Sequence, residues 1–575
     1  MRVRDLFFKL QLPLATLASP LNQTWDYIIV GAGAAGIPIA DRLSESGKSV
    51  LLVERGWASS GRWGGTVKPS WLEGTNLTRF DVPALYQFIW TNDTDNSGIL
   101  CPDVSVPASC VLGGGTAVNA GQFYKPHKDD WDTSMPSGWR SEDMVSATQK
   151  AFSRLLWTET PSQDNKSYLT NGSSLALSAL TNPSYPNPYT LIRANTSPSS
   201  KNHTTSPTEF FFLNGERGGP MATYLVSASR RPTFHLLLNT TVSRILRTGS
   251  LISGVQVSAT HPGGTTGTIH TTPRTGRVIL SAGVFNTAKL LFRSGIGPTS
   301  HLATVHAVDG PAMINPSSWI RLPVGRYLDD APSVYLAIRV PGLEPSAWET
   351  LYNAPDPMDV QRYLSARAGP LAEIQPSLSP TFWDTYDIPS SGNETSSDMV
   401  VQWSVTSTSL PDGVLAFSAT LARGKRSRGA LGIDSSLTMR PTILPYFNDA
   451  AGADYAVLNA SAHALWARLL GGAIPGASAY LPAAGQGLDE YLRGAVSGNE
   501  TLGLSSNHWV GSARMGEVCG DEREVVVDVM TRVCGTENLH VVDASIVNGV
   551  PSSNPQGVLV VAAERAAEVI LGLDE

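Results

Sequence analysis

Residues 26–56 read DYIIVGAGAAGIPIADRLSESGKSVLLVERG, and this stretch decides the fold. An apolar run from Tyr27 to Val30 meets a glycine turn, then a segment with apolar residues at helical spacing, then a second apolar run that ends at Glu54. The order strand, turn, helix, strand is a βαβ unit with a dinucleotide-binding turn. Gly31 permits the tight turn, Gly33 with Ala34 lets backbone approach a pyrophosphate, and Gly36 lets helix and strand pack closely. The helix N-terminus then faces phosphate charge. Glu54 ends the second strand 18 residues after Gly36, where a carboxylate can accept from ribose hydroxyls, with Arg55 beside it. A bare GxGxxG is weak evidence, but here strand, helix and acid all stand in place. Both NAD and FAD carry an ADP half, so these residues alone leave the choice open.

Outward from this unit, a group of apolar or alternating runs, FHLLLNTTVSRILR, ISGVQVSAT and RVILSAGVF, reads as sheet strands around residues 234–285. Residues 160–208 are rich in Ser, Thr, Pro and Asn and read as an exposed, loop-like excursion. SVYLAIRV, MVVQWSVTSTS and VLAFSATLAR read as extended strands of a separate antiparallel lobe, with DYAVLNASAHALWARLL as a helix. The last 40 residues return to a strand (NLHVVDAS), a loop (IVNGVPSSNPQG) and a helix. The expected fold is α/β, and α+β overall: a Rossmann-like dinucleotide-binding domain with an inserted substrate-binding domain on an antiparallel sheet with helices. Its expected segments are 24–140, 216–325 and 501–575 for the cofactor domain, 141–215 for a loop-rich excursion that is also a substrate-domain segment, and 326–500 for the substrate-binding domain.

Composition narrows the partners. Forty-two basic against 49 acidic residues give a net charge of −7 without a basic block, which argues against nucleic acid. After the N-terminus, no uninterrupted apolar run reaches the roughly 18 residues of a membrane span, so no membrane partner is expected. Eleven Asn-x-Ser/Thr acceptors, among them Asn165, Asn171, Asn195 and Asn202 in the excursion, favour a secreted protein with N-linked glycans on surface loops. MRVRDLFFKLQLPLATLASP has early basic residues, an apolar stretch broken by Lys9 and Gln11, and a small-residue step; residues 1–18 read as a signal peptide. The four cysteines fall as two close pairs, Cys101 with Cys110 and Cys519 with Cys534, suited to local disulfides in an oxidising compartment, buried thiols being the alternative. No Cys/His spacing fits a metal, and none is expected.

Two further motifs complete the pattern. CVLGGGTAVNAGQFYKPHKDDWD spans Cys110 to Asp132, and GVFNTAKLLFRSGIGP spans Gly283 to Pro298. With these in order after the first unit, the chain resembles the glucose/methanol/choline oxidoreductases, most closely the flavin domain of fungal cellobiose dehydrogenase. The likeness runs from about Asp26 to Leu573; Ser109, Val284 and Ala288 depart from the common pattern. The resemblance implies FAD, with Gly113, Gly114, Gly115, Asn119 and Ala120 at the flavin and its phosphates. Where some relatives place a histidine bonded to the flavin, this chain has Asn119, which implies FAD held without a covalent link. A haem domain ahead of the flavin domain is not expected, because the first motif begins near residue 26.

The same resemblance places SSNHWVG and SSNPQG at the flavin face: His508 on the catalytic base position and Asn554 on that of its partner. Removing a proton from a CH–OH group while hydride leaves carbon suits an imidazole that titrates near neutrality. Pro555 and Gln556 open a helix aimed at the flavin, and Asp543 with Ala544 stands near the ribityl or phosphate region, a loop-capping role being the alternative for Asp543. Ser506, Asn507, Trp509 and Ser553 are candidates for the substrate site. The expected activity is FAD-dependent oxidation of an alcohol or sugar hemiacetal, with an external electron acceptor such as oxygen or a quinone. The alternatives are aromatic alcohols as substrates, a hydroxynitrile lyase with structural flavin, and a secreted flavin-binding glycoprotein without turnover.

Overall fold

The computed structural model describes residues 20–89, 98–388, 397–410, 413–497, 504–520 and 524–574. The signal-peptide reading and the acceptors Asn92, Asn393 and Asn499 lie outside them.

The quoted stretch folds as expected: strand Tyr27–Val30, helix Gly36–Ser44 and strand Val50–Val53. Every residue of both strands is buried, the signature of a parallel sheet covered on both faces. Five parallel strands form this sheet in the order 539–541, 277–280, 27–30, 50–53 and 234–237. Three distant parts of the chain therefore meet in one sheet. The final helix Gln556–Gly572 packs on Gly36–Ser44 and on Val145–Arg154.

The run FHLLLNTTVSRILR divides between two sheets. Asn239 takes a left-handed conformation, with φ at 57°, and turns the chain. Phe234–Leu237 stays in the parallel sheet, whereas Thr240–Thr248 joins an antiparallel layer with 251–259 and 267–271. The short strand 24–25 pairs in parallel along the edge of 267–271.

The second lobe is a seven-stranded sheet in the order 478–481, 333–339, 414–421, 397–410, 378–388, 204–206 and 190–191. Its two faces differ in chemistry. Val401, Trp403 and Val405 alternate with Gln402, Ser404 and Thr406 along the central strand, and the apolar set is fully buried. Helices Asn171–Thr181 and Ala453–Arg468 pack on this sheet. The opposite, polar face looks into the interdomain cavity.

The excursion differs from its reading as an exposed loop. Residues 160–208 contain the helix Asn171–Thr181 and supply the last two strands of the sheet. Asn195 is fully buried: its amide donates to the Phe123 carbonyl (2.9 Å) and accepts from the Lys125 N–H (2.6 Å). A glycan at this acceptor is incompatible with that packing, whereas Asn165, Asn171 and Asn202 are exposed. Both disulfides form as paired from sequence, with Cα separations of 5.1 Å for Cys101–Cys110 and 5.5 Å for Cys519–Cys534. Among the described residues, no helix is long and apolar enough to cross a membrane.

Candidate active site

A cavity of about 750 Å³ runs from the glycine turn, between the lobes, to the polar face of the large sheet. Its first end is backbone. Gly31 takes φ at 102°, and a Cβ there would lie 2.4 Å from the Ser281 carbonyl oxygen. A Cβ on Gly36 would lie 1.9 Å from the Gly31 oxygen, so Gly36 serves packing and lies behind the wall. Gly33 differs: a Cβ there meets nothing within 4 Å, and the residue lines the cavity beside Ala34. Gly114 is pressed against Gly33, with 3.1 Å between its ideal Cβ and the Gly33 Cα. Gly114 and Gly115 line the cavity; Gly113, expected at the cofactor, instead shapes the turn against Met221.

Glu54 is buried with both carboxylate oxygens held, one by the Ala32 N–H (2.9 Å) and the other by the Gly56 N–H (2.8 Å). Burial pushes its carboxyl up, and each oxygen keeps a lone pair for a hydroxyl. Arg55 and Lys289 both clasp Asp103, at 2.9 and 2.6 Å. Burial alone would raise the Asp103 carboxyl, but the two cations outweigh it and hold it low. Asp103 lies within the Cys101–Cys110 loop, so the disulfide supports this wall.

Asp543, read as a cofactor contact with capping as the alternative, lines the cavity and also caps a helix start. Its carboxylate accepts from the Gly283 N–H (2.9 Å), the Thr287 hydroxyl (2.5 Å) and the Ser545 N–H (2.8 Å). That fixes the start of helix Gly283–Arg293 at the cavity edge. Ala544, Asn119, Ala120 and Pro555 line the cavity as expected. The Asn119 amide donates to Gln556 Oε1 (2.7 Å), while its oxygen accepts from the Gly121 N–H (3.0 Å). Gln556 lines the cavity with a buried Nε2 that has no partner among the described residues. The helix it opens has no side-chain cap, leaving first-turn N–H groups available to an anion. A backbone cradle, an acid for hydroxyls, an unpartnered amide donor and an uncapped helix start fit a dinucleotide with a redox ring.

His508 and Asn554 meet at the far end. Asn554 Nδ2 lies 3.3 Å from His508 Nε2, and Asn554 Oδ1 accepts from Gln402 Nε2 at 2.7 Å. An Asn554 amide that donates here requires the lone pair on Nε2 and the ring proton on Nδ1. Burial pushes the imidazole down to about 4, so it is neutral, in its proton-accepting form, at ordinary pH. The loop is tied from behind by Asp330, whose carboxylate accepts from the His508 N–H (2.7 Å), the Tyr446 hydroxyl (2.6 Å) and the Ser505 hydroxyl (2.6 Å). Burial, against those three donors, pushes Asp330 up to about 6. Ser552 is turned away, donating to Asp130 at 2.5 Å and accepting from Arg423 at 2.9 Å.

Of the substrate-site candidates, Ser506, Asn507 and Trp509 line the cavity and Ser553 does not. The Trp509 indole donates to Asn507 Oδ1 (3.3 Å) and packs edge-on against Phe285, which makes it a wall. Sequence reasoning missed the facing surface. Ser333, Ser404, Thr406, Ser418 and Thr420, with Gln402 and Tyr335, present hydroxyls and one amide to the cavity. Pairing puts them together: Ser333 and Gln402 both lie opposite Thr420, and Tyr335 and Ser404 both lie opposite Ser418. The alternation in QWSVTSTS was the available signal.

The fold and this site define an FAD-dependent oxidoreductase acting on CH–OH groups. GMC oxidoreductase family models match residues 25–333 and 426–563, and the chain belongs to that family. It is 25% identical to dehydrogenase eriK of Hericium erinaceus, over 96% of this chain and 95% of that one. It is also 25% identical to a glucose dehydrogenase (FAD, quinone) of Drosophila melanogaster, over 95% and 86% of the two chains. Among solved structures it resembles formate oxidase (TM-score 0.73, 18% identity, 96% and 98% covered). An FAD-dependent oxidoreductase from Chaetomium thermophilum is similar too (TM-score 0.69, 19% identity, 96% and 100% covered). The family models carry the membership, and none of these relatives singles out the likeness to cellobiose dehydrogenase.

Proposed function

We propose that this protein oxidises a carbinol of a neutral, polyhydroxylated substrate, a sugar or sugar-like alcohol, with His508 as general base. The observation that carries the substrate class is the hydroxyl face: five Ser and Thr hydroxyls, Tyr335 and the Gln402 amide line the cavity opposite His508. Among the described residues, the substrate lobe lends the cavity no Asp, Glu, Lys or Arg, so a cationic or carboxylate substrate finds no partner there. Exchangeable hydroxyls suit a polyol, since each donates or accepts as required.

Bound FAD would supply the two-electron acceptor for the hydride lost from the carbinol carbon. The chain's residues handle the rest. Glu54 and the Gly33 and Gly114 backbone would hold the ADP half, and the first turn of helix Gln556–Gly572 would offer N–H groups to negative charge on the reduced cofactor. His508 Nε2 takes the hydroxyl proton; Asn554 keeps that atom unprotonated beforehand and gives the hydroxyl a second polar neighbour. Positioned bases contribute roughly 10²- to 10⁴-fold. The cofactor is held without a covalent bond, because the Asn119 amide is no nucleophile and both its polar atoms are engaged. The protein is secreted and glycosylated on its exposed acceptors, a reading supported by the two disulfides. An external acceptor reoxidises the flavin.

The Tyr86 and Tyr335 rings in the lining favour aromatic alcohols as the second reading. The decisive experiment mixes purified protein anaerobically with sugars, polyols and aryl alcohols while the flavin's visible absorbance is followed. A sugar or polyol bleaches wild type, and His508→Ala bleaches at least about a hundredfold more slowly. Bleaching by aryl alcohols alone overturns the substrate class. Turnover of a cyanohydrin with the flavin still yellow identifies a lyase, and a flavin inert to every substrate identifies a binding protein.

A further inference from the structure

We propose that Gln402 is a positioning residue: its amide donor fixes which side of the Asn554 amide faces His508, and so keeps Nε2 unprotonated until the substrate's hydroxyl proton arrives. The inference rests on His508 being the base. Gln402 belongs to the substrate lobe, on strand Ser397–Leu410, and is 3% exposed, yet it reaches across the domain boundary to a loop of the cofactor domain. Its Nε2 donates to Asn554 Oδ1 at 2.7 Å, which leaves the Asn554 NH2 to face His508.

A half-turn of the Asn554 amide would set donor against donor at Gln402 and place Oδ1 against His508 Nε2. The imidazole would then have to carry its proton on Nε2, and the atom meant to accept would be blocked. One side chain, 106 positions upstream in sequence, thus selects the tautomer of the base. The charged groups around the loop do not supply this selection. Asp330 bonds the His508 backbone, not its ring, and behind it Asp329 is paired with Lys425 at 2.5 Å.

The test compares Gln402→Glu, which has no donor when ionised, with Gln402→Met, which keeps length without polarity. In protein labelled with 15N-histidine, the His508 ring signals, assigned by their loss in His508→Ala, report the tautomer directly. Wild type is expected to carry the proton on Nδ1, and Gln402→Glu on Nε2. Gln402→Glu should slow anaerobic flavin reduction at least about tenfold and move the acid limb of its pH profile upward. Gln402→Met should slow it only a few-fold, with the limb unmoved. A nearby charge acting alone would move the limb but leave the proton on Nδ1, and that result overturns the proposal. So does an Nε2 proton in wild type, which needs no variant to fold. A wild-type rate in His508→Ala removes the base reading first; a slow His508→Ala beside an unaltered Gln402→Glu removes only the inference about Gln402.

Discussion

Alanine at Gly33 and alanine at Gly36 test the cofactor cradle from its two sides, because one residue faces open cavity and the other faces backbone. At Gly36 the new Cβ would sit 1.9 Å from the Gly31 oxygen and 3.1 Å from the Ser281 Cβ. Ordinary contact begins near 3.4 Å, so helix Gly36–Ser44 must retreat by about 1.5 Å from a turn that is itself fixed, an overpacking that costs about 1–3 kcal/mol. At Gly33 the Cβ meets no protein atom within 4 Å and the backbone is not left-handed, so the empty protein should be as stable as wild type. The methyl group instead enters the space assigned to the pyrophosphate. The same steric cost then falls on binding, and about 1–3 kcal/mol weakens FAD about 5- to 150-fold. Urea unfolding of flavin-stripped protein and FAD titration by fluorescence quenching separate the two effects. Full FAD affinity in Gly33→Ala would refute the placement of the phosphates, and wild-type stability in Gly36→Ala would refute the close approach.

Three further outcomes follow from the geometry. Because burial holds the His508 imidazole near 4, its base form persists as pH falls through the usual histidine range; flavin reduction in stopped flow should be level above about pH 6 and drop about tenfold per unit below 4. Ser404→Ala with Thr420→Val removes two hydroxyls from the facing sheet, and should raise the sugar's KM about tenfold or more while FAD content, read from the visible spectrum, stays at wild type. Replacing Cys101 and Cys110 by serine frees the loop that carries Asp103, closed across a sequence separation of 9, and should cost about 2–3 kcal/mol in unfolding and loosen FAD; unchanged FAD affinity would show that this wall does not bear on the cofactor.

Local patterns were legible where chemistry and chain neighbourhood coincide. The glycine turn with Glu54 declares itself within 30 residues, and His508 and Asn554 sit in short motifs that belong to one family. Roles that depend on distant partners were not. Gln402 and Ser404 gain meaning only when strand Ser397–Leu410 is laid beside 414–421 and turned toward a loop 150 residues later. Asp543 shows a different limit: a carboxylate in a loop looks the same whether it binds a ligand or caps a helix, and only the positions of Gly283 and Thr287 decide. An Asn-x-Ser triplet carries no information on burial, which is why Asn195 misled. The break at Asn239 was hidden because an apolar run reads alike whether it stays in one sheet or turns into another.

The strand at residues 539–541 has a bearing on biosynthesis. It forms the outer edge of the parallel sheet and leads directly into Asp543, Asn554 and the last helix. While a ribosome is still making that portion, strand 277–280 has an open flank, and the cofactor's resting place lacks one side. A nascent chain cut short before this strand should therefore lack one wall of the cofactor cavity, hold FAD poorly, and leave the edge of strand 277–280 unpaired.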